Sequence, residues 1–318
     1  MMEKPLASID LGTNSARLLI GRVTDGRRII PVVVKKRITR LGGGFSRKNG
    51  LSAEARSRTM ETLLDFAGEI LRHGVEDVRA VATSAVRDAV NGADFMEEVY
   101  RTTGIFPRVI DGREEALLNL RGVSAGLEMK GYVFIFDIGG GSTEFTIAQG
   151  CEPCFTRSLP MGVVRLTEGK GDTASMKEKI DRELLNLRNE IKVSGHGESL
   201  SWATLVGTAG TPVTLAAIDR ELPDFDYSKV HGHVLALESI RSIGRKLIPL
   251  APEQRLAFPG VENGREDLVV AGILITLRTM ELFGFHNMVV CDTGLLEGLL
   301  LDGGGGDSVA RMPCGGVV

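Results

Sequence analysis

Apolar and polar residues change along the chain between an alternating, strand-like pattern and a helical one. An apolar segment at 6–9, a turn of small residues at 12–14 and a second apolar segment at 18–23 predict a β-hairpin near the N-terminus. A further strand is predicted at 31–41. The chain is therefore expected to open with three strands that follow one another directly.

A helix is predicted after these strands. Apolar residues between Met60 and Leu71 recur at helical spacing, Ser52 is a suitable N-cap, and Gly74 is a suitable stop. Strands and helices then alternate up to the glycine-rich segment FDIGGGSTE at 136–144. This succession is typical of an α/β protein.

The opening strand-turn-strand pattern occurs a second time in the chain. The sequences DLGTNS, from Asp10, and DIGGGS, from Asp137, place an acid, an aliphatic residue, a glycine and a serine at identical offsets, 127 residues apart. A second series of strands and helices follows to about residue 300. The two halves of the chain are therefore predicted to be duplicated.

Composition limits the functions that need to be considered. With 318 residues, 43% hydrophobic and 25% charged, the chain has room for two globular domains. A net charge of -3 does not favour nucleic acid as a partner. No signal peptide and no run of about 18 apolar residues is found, so a cytoplasmic protein without a membrane partner is expected. Cys151 and Cys154 form a single CxxC, for which free thiols are expected and another role is left open.

The two glycine loops predict a site for phosphate. Backbone N–H groups of a glycine loop can form an anion nest, and the missing Cβ atoms let a phosphate approach the main chain. The hydroxyls of Thr13, Ser15, Ser142 and Thr143 add donors. A single GGG segment could be only a tight turn, but two copies at matched offsets favour the phosphate site.

A divalent cation is predicted at the same place. Asp10 and Asp137 end the first strand of each hairpin and would repel a phosphate unless a cation stood between them, which favours Mg²⁺. Glu144 could reach the same ion. The loops are neither a Walker A loop, because no GK[ST] follows, nor a Rossmann fingerprint, because a strand rather than a helix comes next.

Seven segments, taken in order, resemble one known family. They are IDLGTNSARLLI, ATSAVRDAVN, DGREEALLNLRGV, FDIGGGSTEF, SLPMGVVRLTE, GTAGT and CDTGLLEGLL. They resemble the exopolyphosphatase and guanosine-pentaphosphate phosphatase (Ppx/GppA) family of the actin-like superfamily.

The resemblance implies two actin-like, ribonuclease H-like domains with duplicated mixed sheets flanked by helices and an active site in the cleft between them. Domain I is expected at 1–124, completed by a C-terminal helix at about 297–302, and domain II at 125–296. A disordered tail is expected at 303–318.

The resemblance also implies roles for individual residues. Glu115, the second glutamate of EEA, is expected to be the general base. Asp111-Gly112 stands where the family more commonly has Ser-Gly at the start of this motif, and this replacement is expected to leave Glu115 in place. Considered without the resemblance, Glu115 is more simply interpreted as a solvated charge on a helix face. Asp10, Asp137 and Glu144 are the expected metal ligands. The expected substrate-binding residues are Gly12, Thr13, Asn14, Ser15, Arg87, Gly139, Gly140, Gly141, Ser142, Thr143 and Thr208, with Thr211 in the same glycine-rich segment as Thr208.

These roles predict an exopolyphosphatase that removes terminal orthophosphate from inorganic polyphosphate. The alternatives are a guanosine pentaphosphate (pppGpp) phosphatase, an actin-like kinase that transfers phosphate to a sugar or acetate, a non-catalytic sensor of polyphosphate or alarmone, and an actin-like assembly protein. Longer family members carry a C-terminal HD-type region that this sequence lacks, so strong processivity is not expected. K⁺ as a second cofactor and a homodimer are left open, and His231 and His233 are expected to be polar loop residues rather than metal ligands.

Overall fold

The computed structural model describes residues 4–24, 28–46, 48–222 and 229–302. These residues form two compact units, one from 4–125 with 294–302 (unit 1) and one from 126–293 (unit 2). The predicted disordered tail at 303–318 lies outside the described residues. Within the described residues, no helix is both long enough and apolar enough to cross a membrane.

Eleven strands are present in the described residues. They are β1 (Leu6–Leu11), β2 (Ser15–Val23), β3 (Ile29–Ile38), β4 (Asp77–Ala82), β5 (Arg108–Val109), β6 (Tyr132–Ile138), β7 (Thr143–Gln149), β8 (Glu152–Leu159), β9 (Thr204–Thr208), β10 (Val234–Ala236) and β11 (Asn287–Val290).

The same part of the chain forms eleven α-helices. They are α1 (Ala53–Arg72), α2 (Ser84–Arg87), α3 (Gly92–Thr103), α4 (Gly112–Gly126), α5 (Val163–Lys170), α6 (Thr173–Val193), α7 (Gly210–Asp219), α8 (Leu237–Leu247), α9 (Pro252–Arg255), α10 (Val269–Phe283) and α11 (Leu295–Leu301). A short 3₁₀ helix lies at Ser199–Trp202.

The two sheets repeat one strand order. The sheet of unit 1 runs β3-β2-β1-β4-β5, and that of unit 2 runs β8-β7-β6-β9-β11 with β10 added at the end. In each sheet the first three strands of the unit are antiparallel, and the next strand pairs in parallel with the first. The predicted α/β class and the predicted duplication are both confirmed.

Local signals in the sequence explain where the long helices begin. The Ser52 hydroxyl accepts a hydrogen bond from Ala55 N at 3.2 Å, so it caps α1 as predicted. Asp172 caps α6 in the same way, accepting from Ser175 N at 2.9 Å. Each helix then packs its apolar face on the sheet of its own unit, with Leu63 of α1 and Leu184 of α6 fully buried.

Glycines bring α4 and α11 of unit 1 into backbone contact. A Cβ on Gly122 would lie 1.7 Å from Gly294 O, and a Cβ on Gly298 would lie 1.8 Å from Leu118 O. Only glycine permits this approach, so the chain that returns at Gly294 fixes the position of α4. This contact matters for the site because α4 carries Glu115.

His231 joins the two ends of unit 2. Its Nε2 lies 3.0 Å from Gly126 O, and its Nδ1 lies 2.5 Å from Asp292 Oδ1. Both of these partners are acceptors and only a long contact of 3.5 Å runs from Asp292 N to Nδ1, which favours donation by both ring nitrogens and hence the imidazolium form. The hydrogen bond to Asp292, followed by the neighbouring Cys291, raises the pKa of His231 to about 10.

The contact between α4 and α11 predicts that one added methyl group lowers the stability of the protein substantially. Gly298→Ala should lower the free energy of unfolding by about 3 kcal/mol or more, because the clash is with backbone that cannot move aside alone. Gly169→Ala is the matched control, since a Cβ there would meet no described atom within 4 Å and alanine favours the helix. Urea unfolding of both variants measures the difference, and equal stabilities would contradict the packing described.

His231 predicts a pH-dependent loss of stability. The pKa of His231 is higher in the folded protein than its ordinary value of 6.5. The stabilisation of the folded state by charged His231 is therefore complete below pH 6.5 and is lost as the pH rises through about 10. His231→Gln should therefore lower the free energy of unfolding by about 2 kcal/mol near pH 6 and by much less near pH 10. Asp292→Asn should show the same trend in urea unfolding, and a difference independent of pH would be evidence against the ion pair.

Candidate active site

Loop 2, defined as residues 139–142, presents its carbonyl groups to α5. Gly139 O accepts from Val163 N at 3.0 Å, and Gly140 O accepts from Val164 N at 2.9 Å and from Arg165 N at 3.1 Å. Gly141 O accepts from the Nε of Arg165 at 2.7 Å. Three successive carbonyls are therefore turned towards the first turn of one helix.

The N–H groups of loop 2 point the opposite way. In a planar trans peptide the carbonyl and the following N–H are antiparallel, so the N–H groups of Gly140, Gly141 and Ser142 face away from α5. Within the described residues, none of these three N–H groups donates a backbone hydrogen bond. Successive free N–H groups on one side of a loop can form an anion nest, and the binding of phosphate there stays a prediction.

Loop 1, defined as residues 12–15, is supported in the same manner. Gly12 N donates to Ser15 O at 3.1 Å, and its counterpart Gly139 N donates to Ser142 O at 3.0 Å. The segment after β3 then supplies the donors that α5 supplies in unit 2. Gly42 N donates to Thr13 O at 2.8 Å, and the amides of residues 39 and 40 both donate to Asn14 O.

The predicted hydroxyls of the loops do not share one environment. Thr13 Oγ1 lies 2.9 Å from the hydroxyl of Ser84, which begins α2. Thr143 donates to Met161 O at 2.7 Å and Thr208 donates to Thr293 O at 2.9 Å, so both hydroxyl protons are used inside the protein. Their roles in substrate binding stay predictions.

Asp10 of unit 1 is paired with an arginine across the hairpin. Asp10 lies opposite Arg17 in the β1–β2 ladder, and its Oδ2 accepts from Arg17 Nε at 2.9 Å and Nη2 at 2.7 Å. Its Oδ1 is buried and has no hydrogen-bond partner among the described residues, and the same is true of both side-chain polar atoms of Asn14. Buried polar atoms are normally paired, so these atoms suit an ion, water or substrate.

Asp137 of unit 2 belongs to a polar row across four strands. Asp137 lies opposite Glu144 in the β6–β7 ladder and beside Thr208 in the β6–β9 ladder, and Glu144 lies opposite Ser158. Glu144 Oε1 accepts from Ser158 Oγ at 2.7 Å. Asp137 and Glu144 are 8% and 2% exposed, so two carboxylates meet away from bulk water.

The acids of unit 2 fit a divalent cation. Neighbouring buried carboxylates repel each other when both are ionised, and a cation between them removes that repulsion. Mg²⁺ is commonly held by one or two carboxylates, with substrate phosphate and waters completing the octahedron. No group of three or more His, Cys, Asp and Glu side chains that could hold a metal occurs in the described part of the chain. Asp137 and Glu144 are therefore the better candidates, and Asp10, already neutralised by Arg17, would offer only Oδ1.

Glu115 lies on the first turn of α4 beside Arg87. Its Oε2 is 3.4 Å from Arg87 Nη1, and the same nitrogen donates to Ile110 O at 2.9 Å. Glu115 is 8% exposed, which excludes the alternative of a solvated charge on a helix face. Arg87 is likewise anchored rather than free on the surface. The structure thus brings the predicted base and the predicted phosphate-binding arginine together.

The start of α4 explains the position of Glu115. Asp111 Oδ1 accepts from Glu114 N at 2.8 Å, and Glu115 N donates to Asp111 O at 3.0 Å. Asp111 therefore caps the helix, as a serine could in its place. The prediction that Asp111-Gly112 begins the turn that precedes Glu115 agrees with this geometry.

Several polar partners of the site were not identified from the sequence. Arg17 follows Asp10 by seven residues, as Glu144 follows Asp137, so extending the alignment of the two hairpins by two positions would have found it. Ser84 and Ser158 gave no such signal, because their contacts depend on strand and helix packing between distant segments.

Comparisons with known proteins agree with this geometry. Residues 19–303 match the model of the Ppx/GppA phosphatase family. The chain is 32% identical to exopolyphosphatase 2 of Mycobacterium tuberculosis, over 93% of this chain and 97% of that protein. It is 29% identical to a guanosine-5'-triphosphate,3'-diphosphate pyrophosphatase of Aliivibrio fischeri, over 92% of this chain and 58% of the relative.

A solved structure of an exopolyphosphatase has the same fold as this chain. The crystal structure of an exopolyphosphatase from Cytophaga hutchinsonii superposes with a TM-score of 0.83 and 29% identity, covering 94% of this chain and 98% of that chain. The chain spans only 46% to 59% of the length of the longer curated relatives that it matches. With the family model matched over most of the sequence and both predicted loops present, the chain belongs to the Ppx/GppA phosphatase family.

Proposed function

We propose that this protein is an exopolyphosphatase, which releases orthophosphate from the end of inorganic polyphosphate. The observation that carries the proposal is the buried carboxylate of Glu115, held 3.4 Å from the guanidinium of Arg87 on the capped end of α4. A base and a phosphate-binding cation at this spacing are what hydrolysis of a terminal phosphoanhydride requires.

In the proposed reaction, a water attacks the terminal phosphorus atom. The water oxygen forms the new P–O bond, the bridging P–O bond breaks, and the bridging oxygen leaves with the shortened chain. Glu115 accepts the proton that the water loses, and the contact with Arg87 fixes the direction of its carboxylate. Glu115 is therefore the proposed catalytic base, and Arg87 is the proposed ligand of the phosphate under attack.

The two loops are proposed to bind phosphate through their outward N–H groups. Such donors are fixed before the substrate arrives, so they stabilise negative charge on phosphate oxygens without reorganisation. Asp137 and Glu144 would hold a divalent cation, most simply Mg²⁺, which when bound would neutralise phosphate charge.

Guanosine pentaphosphate is the second candidate substrate. It also ends in a phosphoanhydride, and a relative from A. fischeri is named for a guanosine phosphate of this kind. Polyphosphate is preferred because the relative from M. tuberculosis is named an exopolyphosphatase and is covered over 97% of its length. A non-catalytic sensor is the candidate of another class, and it would bind the same ligands without turnover.

The proposal predicts phosphate release by the purified protein. Medium-chain polyphosphate with Mg²⁺ should yield orthophosphate one unit at a time, and chelation of the metal should stop the reaction. The same assay with pppGpp in place of polyphosphate compares kcat/KM for the two substrates. Tight binding of polyphosphate without release would instead identify a sensor, and transfer of phosphate to a sugar or acetate would identify a kinase.

Glu115→Gln is predicted to abolish most turnover. Because glutamine cannot accept the proton, kcat should fall by roughly 10²- to 10⁴-fold while the affinity for polyphosphate changes little. Glu114→Gln is the matched control, since Glu114 is the half-buried neighbour of Glu115 and pairs with Arg108 at 2.5 Å. Steady-state kinetics should show near-native kcat for the control. A Glu115→Gln enzyme with near-native kcat would rule out this residue as the base.

A further inference from the structure

We propose that Arg165 is a positioning residue of loop 2, which fixes the N–H of Ser142 in the direction of a substrate phosphate. The proposal rests on the proposed function, because it assumes that loop 2 binds the phosphate of the substrate. It assigns a role to the MGVVR segment at 161–165, for which the sequence gave only a family resemblance.

The four hydrogen bonds that hold the three glycine carbonyls of loop 2 are not equivalent. Gly139 O and Gly140 O are held by main-chain N–H groups of α5, which nearly any residue would supply. Gly141 O is held by the side chain of Arg165, at 2.7 Å from Nε. The orientation of the last peptide of the loop therefore depends on the identity of one residue.

In loop 1 the equivalent carbonyl is hydrogen-bonded by the main chain rather than by a side chain. Asn14 occupies in loop 1 the position that Gly141 occupies in loop 2. Asn14 O is held by two main-chain donors, Thr39 N at 3.1 Å and Arg40 N at 2.8 Å. Among the described residues, the equivalent carbonyls are thus held by backbone in unit 1 and by Arg165 in unit 2.

The peptide between Gly141 and Ser142 is the one that can turn if Arg165 is lost. Glycine accepts a wide range of backbone angles, so Gly141 itself does little to fix that plane. Its carbonyl and the N–H of Ser142 point in opposite directions, so rotation of the plane would remove the donor from the phosphate. Arg165 approaches from the carbonyl side of the loop, which is why its role is to position rather than to touch the substrate.

The close approach of α5 to loop 2 also depends on the residue at its N-terminus. A Cβ on Gly162 would lie 2.3 Å from both the carbonyl carbon and the oxygen of Gly140. Without that glycine the first turn of α5 could not reach the loop, and the Arg165 side chain would lose its partner. The segment thus combines a glycine for contact with an arginine for orientation.

The test compares Arg165→Gln and Arg165→Lys with the wild-type protein. Arg165→Gln should raise KM for polyphosphate about tenfold and change kcat by less than about threefold, since Glu115 and the attacking water are untouched; loss of a whole preorganised donor would cost about 10²- to 10³-fold. Arg165→Lys retains one donor of different geometry and should raise KM about threefold. Calorimetric binding of polyphosphate, measured in a Glu115→Gln background, should weaken by the same factors.

Arg157→Gln is the matched control. Arg157 is an exposed arginine of the same unit whose Nε lies 3.1 Å from Glu190, so the charge change is the same and loop 2 is not involved. This variant should keep the wild-type KM and affinity. Thermal unfolding of all three variants shows whether a change in KM merely follows a loss of stability.

The outcomes separate this proposal from the proposed function. Folded Arg165→Gln protein with wild-type KM and wild-type affinity would overturn the role of Arg165 while leaving the exopolyphosphatase assignment intact. If the Arg165→Gln variant does not fold, a wild-type KM for Arg165→Lys would by itself overturn the positioning role of Arg165. If the wild-type protein releases no phosphate, the proposed function fails, and the binding measurements still decide whether Arg165 orders the loop.

Discussion

The direction of three peptide carbonyls in loop 2 determines what that part of unit 2 can do. Gly139, Gly140 and Gly141 direct their oxygens into the first turn of α5, and the matching N–H groups consequently face outward. Buried backbone carbonyls must be hydrogen-bonded, so donors are needed on the side of the loop to which the carbonyls point. The first turn of α5 supplies these donors. Gly162 is needed because any side chain there would overlap Gly140. The outward direction of the N–H groups, on which the proposed anion site rests, thus follows from how the carbonyls are hydrogen-bonded.

The carbonyls of loop 1 in unit 1 are also hydrogen-bonded, but by a different element of the chain. The strand order and the hairpin are repeated, but the donors that hold loop 1 come from the segment after β3 rather than from a helix. Loop 1 is also linked to Glu115, the proposed base. Thr13 contacts Ser84, which begins α2, and α2 carries Arg87, which contacts Glu115. The position of Glu115 in turn depends on the glycine contacts between α4 and α11.

Local patterns in the sequence were sufficient for the elements and the loops, but not for the contacts between them. Ser52 and the duplicated hairpins were predicted because each signal lies within a few neighbouring residues. Glu115 could be assigned a role only by resemblance, since its burial depends on packing within unit 1. Arg165 could not be assigned at all, because its partner lies 24 residues earlier in the chain. Contacts of this kind depend on the register and packing of whole elements.

The duplicated strands differ most in the charges beside each aspartate. In unit 1 the row across the strands reads Asp10, Arg17 and Lys36, one negative and two positive groups, which sum to +1. In unit 2 the row reads Asp137, Glu144 and Ser158, two negative groups and a neutral one, which sum to -2. Because like charges on neighbouring strands repel, the two carboxylates of unit 2 favour a cation between them, whereas Asp10 of unit 1 already has Arg17 as its counter-ion. The two copies of the hairpin have therefore kept one strand order and diverged in the charge that each places beside its aspartate.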